Sequence, residues 1–435
     1  MRSCGRIIAL VLFLTACAAG PATSTGLESD HLVVSWNETL LSIAEAEDGF
    51  LTLKGVRAAA MMHAAIHDAL SNISGRYKTY AHDGPNPDAD PIAAANQAAY
   101  SVALDQYPDQ QSRLAALRNE WLSKARQGAS QSAGISLGDA AARAVLQSRN
   151  KDGWDNQAEY QWHPMGPGVY AEFNEHSGTP EGFIFGAGWG TAKPFALTSQ
   201  DQFRSPPPPA IDSPEYTTAF NEVKDLGRFQ SMSRTNDQTH LALWWKDFAE
   251  NSHNRLARDL AGREKLRLDE AARMFALLNI GIFDAYVNVF DNKFFYNHWR
   301  PYTAIRWAAN DGNPDTKPEL SWTNTHRHTY AFPSYPSAHG TACAAAMTAL
   351  ADTFGDEYSF TMRIPVVDIA GPFSGKIEMQ PPTRQFQSFP QAAIECAMSR
   401  LYLGIHFRYD SEEGYALGQR IGAYIRGNYL KPVLD

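Results

Sequence analysis

Runs of small and apolar residues, cut at prolines, glycines and polar clusters, set the character of this chain. Strict apolar/polar alternation, the mark of half-buried strands, is almost absent, whereas apolar positions recur at helical spacing along most of the length. Leu32 to Ile73 predicts helix, with the breaker-free core Val56-Arg-Ala-Ala-Ala-Met-Met-His63-Ala-Ala-Ile-His67-Asp68. Pro91 to Gln147 predicts three helices punctuated by Pro108 and Gly128, and Pro214–Leu226, Asp237–Ala261 and Leu268–Phe290 predict three more. An Ala-rich run, Ala338–Phe354, and the stretch Phe389–Tyr424 complete an all-α architecture. Residues 151–213 differ: they are rich in Gly, Pro and Trp, include the Pro206–Pro209 run, and hold no sustained period. Trp154, Trp162 and Trp189 would be costly to leave in water, so this segment should be an ordered excursion packed over the helices. Residues 310–327 and 355–388 read as polar loops near the mouth of whatever site the helices build.

Composition narrows the function classes. With 435 residues and 44% apolar content the chain can bury a large core, and residues 31–435 read as a single helical domain. A net charge of −9 supplies no basic field for a nucleic-acid backbone. Arg2 and Arg6, the short apolar run Ile7–Leu14 and the ending Leu14-Thr-Ala-Cys17 form a leader too short to span a bilayer. The ending resembles the lipobox of bacterial lipoproteins. The resemblance implies a lipoprotein-type signal segment over 1–17 that is cut before Cys17, acylation of Cys17 as the first mature residue, and a tether over 18–30. A plain secretory signal is the alternative. Either way the body is expected outside the cytoplasm; with Cys17 acylated it would sit on the bacterial cell envelope facing the periplasm or the exterior, with the lipid anchor as its only membrane contact.

Candidate chemistry sits in three stretches: Lys293-Phe-Phe-Tyr-Asn-His-Trp-Arg300-Pro301, Tyr335-Pro-Ser337-Ala338-His339-Gly340, and Ser399-Arg400-Leu-Tyr-Leu-Gly-Ile-His406-Phe-Arg-Tyr-Asp410. Three cations, one hydroxyl, two imidazoles and a carboxylate suit a tetrahedral oxyanion passing through five-coordinate geometry. If the first stretch is helical, Lys293 and Arg300 share a face about 10 Å apart along the axis, and Pro301 leaves Arg300 near a helix end. Pro336-Ser337 before the Ala-rich run reads as a helix N-terminus, whose free N–H groups and the Ser337 hydroxyl would face an anion. His406 and Asp410 sit one turn apart, so the carboxylate can take one ring N–H and leave the other nitrogen bare.

Lys, six residues, Arg-Pro; Pro-Ser-x-His; Ser-Arg, five residues, His, three residues, Asp: this resembles the signature of the vanadium-dependent haloperoxidase and type 2 phosphatidic acid phosphatase superfamily. The flanks Gly188-Trp-Gly-Thr-Ala-Lys-Pro-Phe195 and Gln202-Phe-Arg204-Ser-Pro-Pro resemble its bacterial haloperoxidase-like members, so the similarity extends from about residue 31 to 430. The resemblance implies a helical bundle with the site between helices. It implies vanadate bound to His406 and held by Lys293, Arg300, Arg400, Ser337 and the Ala338 N–H. His339 would carry protons, Asp410 would orient His406, and Lys293 would polarise bound peroxide. Hydrogen peroxide would then oxidise halide to hypohalous acid, with phosphate as a competing occupant. Phe290 and Phe332 stand where chloroperoxidase-type members carry aromatics near the halide. One departure stands out: members usually carry Gly where this chain has Ala338, which keeps the N–H but adds a methyl and penalises positive φ.

Two other functions use the same residues. An acid phosphatase would hydrolyse a phosphomonoester or lipid phosphate through a phosphohistidine at His406. A lipoprotein that only binds oxyanions would need neither the proton carrier His339 nor Asp410. Elsewhere, His63 and His67 have i, i+4 spacing but no evident third ligand, so core histidines are the simpler reading than a zinc site. Asp284 and Asp291 share the face of Lys293, as solvated or capping carboxylates or as partners of a site cation. Cys343 and Cys396 flank the motifs; an oxidising compartment permits a bridge, and buried thiols are the plainer expectation. Cys17→Ser in the full chain is expected to move the protein from the membrane to the soluble fraction and abolish amino-terminal acylation. Unchanged membrane partition on cell fractionation would refute the anchor.

Overall fold

The 29-residue stretch Leu268–Tyr296 is apolar nearly all round, and such a helix is stable in water only when other elements surround it. The computed structural model, which describes residues 31–49, 52–371 and 374–433, puts this helix at the centre. By length and hydropathy it could cross a membrane, but 94% of its apolar window is buried within the protein, as in a core helix. The expected leader with Cys17 and the tether 18–30 lie outside the described residues.

Among the described residues the order begins α1 (His31–Asp48), α2 (Leu53–Ser74), α3 (Pro91–Gln106), α4 (Gln111–Leu122), α5 (Ala129–Ser148) and the single turn α6 (Asn174–Ser177). It continues through α7 (Pro214–Leu226), α8 (Asn236–Trp244), α9 (Ala249–Glu264), the central α10 (Leu268–Tyr296) and α11 (Pro301–Trp307). The last three are α12 (Ala338–Phe354), α13 (Phe389–Leu403) and α14 (Arg408–Asn428). Three expected helical stretches prove to be pairs, and 389–424 is one of them, divided into α13 and α14 at left-handed Gly404 (φ 79°). Gly49 turns left-handed (φ 57°) and Thr52 caps a fresh start, dividing 32–73 into α1 and α2. Between α8 and α9 the backbone opens at Phe248 (ψ 141°), and the Trp245 carbonyl turns to Arg400 instead of continuing the helix. The loop 355–388 holds two small antiparallel pairs, β1 (Phe360–Arg363) with β4 (Thr383–Phe386) and β2 (Val366–Asp368) with β3 (Lys376–Glu378). Strands of three or four residues are too short for a period of two to show in the sequence.

Helix α12 lies against α10, α13 and α14. Its contact with α14 is backbone on backbone: a Cβ at Gly414 would stand 2.5 Å from the Ser337 carbonyl oxygen, and one at Gly418 2.2 Å from that of Thr341. This approach lets the Ser337 N–H donate to the Asp410 carbonyl at 2.9 Å, tying the second motif to the third. Cys343 of α12 and Cys396 of α13, with Cα atoms 6.6 Å apart, form a disulfide, so the expectation of free thiols gives way to a covalent link between the helices of His339 and Arg400.

The excursion is pinned to α10 by polar side chains of that helix. Buried Asp284 accepts the N–H groups of Phe195 (2.6 Å), Ala196 (2.8 Å) and Leu197 (2.9 Å). Burial pushes its carboxyl up to about 6, and the three N–H bonds pull the other way. Asn292 accepts from Ser205 N and donates to the Phe203 carbonyl, Asn288 donates to Gln200, and Asp291 pairs with Arg204 at 2.6 Å. Asp284 and Asp291 thus anchor the excursion and are not partners of a site cation. Asp284→Ala, which strands three buried N–H groups, is expected to lower unfolding free energy by about 3 kcal/mol in chemical denaturation; a change within error would show that the anchor is dispensable.

Candidate functional site

Lys293 occupies the last turn of α10, which Asn297 ends in left-handed conformation (φ 49°). Arg300 follows in extended backbone (φ −87°, ψ 153°) as the N-cap of α11, with Pro301 at its first position. The two cations therefore do not share one helix face, as the seven-residue spacing suggested; the turn between the helices brings them together. Lys293 Nζ donates to the carbonyls of Pro333 (3.0 Å) and Ser334 (2.6 Å). Arg300 donates from Nε to the Phe332 carbonyl (2.8 Å) and from Nη1 to the Ile405 carbonyl (3.0 Å) and to His406 Nε2 (3.2 Å).

That last contact fixes a tautomer. Guanidinium only donates, so His406 Nε2 must present its lone pair and the ring proton must sit on Nδ1. Nδ1 lies 3.0 Å from Asp410 Oδ2, which also accepts the Phe407 N–H at 3.1 Å. His406 itself precedes α14, and Asp410 lies in the first turn of that helix.

Arg400, near the end of α13, donates from Nη1 to the Trp245 carbonyl at 3.2 Å, and the same carbonyl accepts from the His339 ring. His339 Nε2 has no partner. Ser337 caps α12, its Oγ accepting the Gly340 N–H at 3.3 Å, which leaves its O–H to donate. Ala338 is the first residue of α12 and is not among the described non-glycine residues with positive φ, so the backbone tolerates alanine without strain.

A cavity of about 350 Å³ opens above these groups, lined on the site side by Ala338, His339, Arg400, His406, Phe290 and Phe332. Lys293 and Arg300 lie fully buried, their charged ends 5.2 and 4.6 Å from the Phe332 ring centroid. Lys293 and Arg300 thus share one carboxylate, Asp410, and Arg400 is buried without an ion-pair partner among the described residues. Burial first, and then the neighbouring positive charge, holds Lys293 well below its usual value, and burial brings Arg300 down to about 10. Burial and the nearby arginines hold both His339 and His406 far below the ordinary imidazole range, so both rings are neutral. Arg300 Nη2 and Arg400 Nε, both buried, have no acceptor. Uncompensated positive charge, donors without partners and a bare Nε2 together fit a multiply charged oxyanion such as vanadate or phosphate.

All the expected site residues of the described region therefore converge. Others were missed: Lys246, Glu250, Tyr286, His328, Tyr330, Phe185 and Trp189 complete the cavity. His326-Arg-His328 was visible as a polar tract, but nothing in the sequence ties Lys246 or Glu250 to the motifs. Of the two loops expected at the mouth, 355–388 reaches it, with Asp368 accepting from Lys246 and Gly371 against His328. Most of 310–327 packs beside α7, where Lys224 donates to the Lys317 carbonyl and Arg228 pairs with Glu319, and its end reaches the mouth, with His326 against the cavity residues His328 and Tyr330. His63 bonds Asn37 (2.9 Å) and stacks on Phe275, and His67 meets the Lys78 carbonyl (3.0 Å); they are core histidines. His339, Cys343 and Cys396 cluster within 4.8 Å, but the disulfide removes both thiolates as metal ligands.

Residues 273–432 match the family model of the VCPO second helical-bundle domain. A vanadium chloroperoxidase of Curvularia inaequalis is 27% identical over 51% of this chain and 45% of its own length, so the match spans less than half of that relative. A bacterial vanadium-dependent iodoperoxidase structure superposes with TM-score 0.75 at 22% identity, covering 94% of this chain and 98% of that one. A holo-type bacterial vanadium-dependent chloroperoxidase gives 0.64 at 16% identity, covering 85% and 90%. The helical fold is therefore that of the bacterial vanadium haloperoxidases.

Because an oxyanion would neutralise buried cations in the folded state alone, orthovanadate or phosphate at a hundredfold excess over its Kd should add about 2.7 kcal/mol of stability. Differential scanning calorimetry should show a rise in Tm that is lost in Arg400→Ala. No shift with either anion would remove the oxyanion reading.

Proposed function

We propose that this chain, a member of the vanadium-dependent haloperoxidase and type 2 phosphatidic acid phosphatase superfamily, is a vanadate-dependent haloperoxidase that uses hydrogen peroxide to oxidise halide to hypohalous acid. The observation that carries the reading is the Arg300–His406–Asp410 chain of contacts, which points a bare imidazole nitrogen into a nest of buried donors. Vanadate, when bound, supplies a Lewis acid that activates peroxide toward halide. Lys293, Arg300 and Arg400 would hold its oxygens, aided by the Ser337 hydroxyl and the Ala338 N–H. His406 Nε2 would be the ligand atom, and Asp410 keeps the proton on Nδ1 so that Nε2 carries a lone pair.

His339 moves the protons. Its Nε2 has a lone pair and no partner, because the ring N–H is taken by the Trp245 carbonyl. Burial among cations keeps this imidazole neutral, so it can accept a proton from incoming peroxide and return it as hypohalous acid leaves. Phe290 and Phe332, with ring centroids 5.3 Å apart, form the apolar wall against which halide is desolvated. We place the enzyme on the bacterial cell envelope, facing the periplasm or the exterior and tethered through Cys17.

The same cradle would stabilise the transition state of phosphoryl transfer, so the deciding experiment compares the two reactions. The protein is stripped of bound anion, reloaded with vanadate, and assayed for peroxide-dependent halide oxidation beside phosphomonoester hydrolysis, with phosphate as competitor. Halide oxidation that requires vanadate and fades with phosphate is expected. Hydrolysis without halide oxidation would assign a phosphatase, and tight anion binding without either turnover a binding protein. His339→Ala should lower kcat for halide oxidation by about 10²–10⁴-fold while leaving vanadate binding measurable by calorimetry; unchanged turnover would refute its role.

A further inference from the structure

Cys343 and Cys396, fully buried and joined as a disulfide, take no part in the reaction proposed above. Cys343 follows His339 by one turn of α12, so its sulfur lies on the helix face of the imidazole, and Cys396 comes from α13, one turn before Arg400. A ring nitrogen of His339 and the two sulfurs all lie within 4.8 Å of one another. Among the described residues no other three His, Cys, Asp or Glu side chains converge in this way.

Opening the disulfide would leave two thiols and an imidazole, all metal ligands, at nearly the spacing a metal requires. Tetrahedral bonds of about 2.3 Å to sulfur and about 2.0 Å to nitrogen put ligand atoms roughly 3.5–3.8 Å apart, so only a small closing movement is needed. Packing keeps the ligands together without the covalent bond. Helices α12 and α13 lie so close that a Cβ on Gly340 would stand 3.2 Å from that of Ala397. Charge selects the ligand set as well: Arg400 is buried here with no carboxylate beside it, so a bare divalent cation would be repelled, whereas two thiolates cancel the charge of one.

We infer that the dithiol form of the protein binds one thiophilic divalent cation of the zinc class through His339, Cys343 and Cys396, and that this silences the proton carrier until oxidation closes the disulfide. The metal site stands on the cluster itself; the silencing rests on the haloperoxidase reading. A neutral imidazole has one proton and one lone pair. Whichever ring nitrogen binds the metal, the other keeps the proton, and no lone pair remains to accept one from peroxide. Both thiols release their protons to solvent as the cation binds. Hydrogen peroxide reverses the state: it takes an electron pair from the two thiolates, a sulfur–sulfur bond forms as the oxygen–oxygen bond breaks, and the cation is released. Two solvent protons complete two waters. Because a nascent chain carries its cysteines as thiols, the metal site would precede the disulfide.

The test uses the full-length, anion-free protein with Cys4→Ser and Cys17→Ser, so that only the two buried cysteines remain. After reduction with a phosphine, removed by gel filtration under nitrogen, one equivalent of Cd²⁺ is expected to raise a sulfur-to-metal charge-transfer band in the ultraviolet. The oxidised protein and Cys343→Ala should give none, with Cys396→Ala in its place if that variant fails to melt cooperatively. Zinc affinity, read by competition with a chromophoric chelator, should fall at least about tenfold in His339→Ala. With vanadate, peroxide and bromide in stopped flow, the zinc-loaded dithiol form should oxidise bromide only after a lag, which the disulfide form and the chelator-treated dithiol form lack. A disulfide that resists the phosphine in the native protein, no band on reduction, or zinc affinity indifferent to His339 overturns the site. Zinc loading without a lag overturns the silencing. Zinc binding with no halide oxidation by any form would sink the haloperoxidase reading and leave the metal site standing.

Discussion

Burying three positive charges with one carboxylate, Asp410, beside two of them is the constraint from which the rest of this structure follows. Each cation loses hydration on folding, and Asp410 can offset only part of that cost. The protein meets it with backbone dipoles. Lys293 is held by two carbonyls of the Pro333–Ser334 loop, Arg300 by those of Phe332 and Ile405, and Arg400 by that of Trp245. Every one of these acceptors belongs to a segment distant in sequence from the cation it serves. The charges therefore fix the loops in place as much as the loops fix the charges, and the positive potential that remains is what an anion would meet.

The same wiring sets proton positions. A guanidinium beside one nitrogen of His406 and a carboxylate beside the other leave a single tautomer. Sharing the Trp245 carbonyl between Arg400 and His339 takes up one ring N–H of the second imidazole and leaves its Nε2 without a partner. Two rings of one residue type thus acquire different tasks from their neighbours alone. The disulfide between Cys343 and Cys396 sits one turn from each of His339 and Arg400 and covalently joins the helices that carry them.

Helix α10 links chemistry to architecture. Its last turn supplies Lys293, its apolar faces form the core, and its polar side chains from Asp284 to Asn292 hold the excursion. The excursion in turn roofs the cavity with Phe185 and Trp189. A segment with little regular structure can be this well ordered because side chains of a rigid helix take up backbone groups that its own turns do not satisfy. The cavity roof and one cation of the anion cradle, Lys293, are consequently positioned by one element.

Motif order and spacing, the all-helical pattern, the cap at Ser337 and the pairing of His406 with Asp410 could be read from the residues, because each depends on neighbours within a few positions. Local sequence also marked residues 151–213 as aromatic and irregular. Where Lys293 and Arg300 stand relative to each other could not be read, since the left-handed Asn297 breaks a helix that spacing alone would continue. The roles of Asp284 and Asp291, the disulfide, and the arrival of Lys246, Glu250 and Trp189 at the cavity were decided by packing between segments far apart in the chain. A side chain's neighbours in sequence determine its conformation, but its charge state, partners and exposure to a ligand depend on what the fold brings against it.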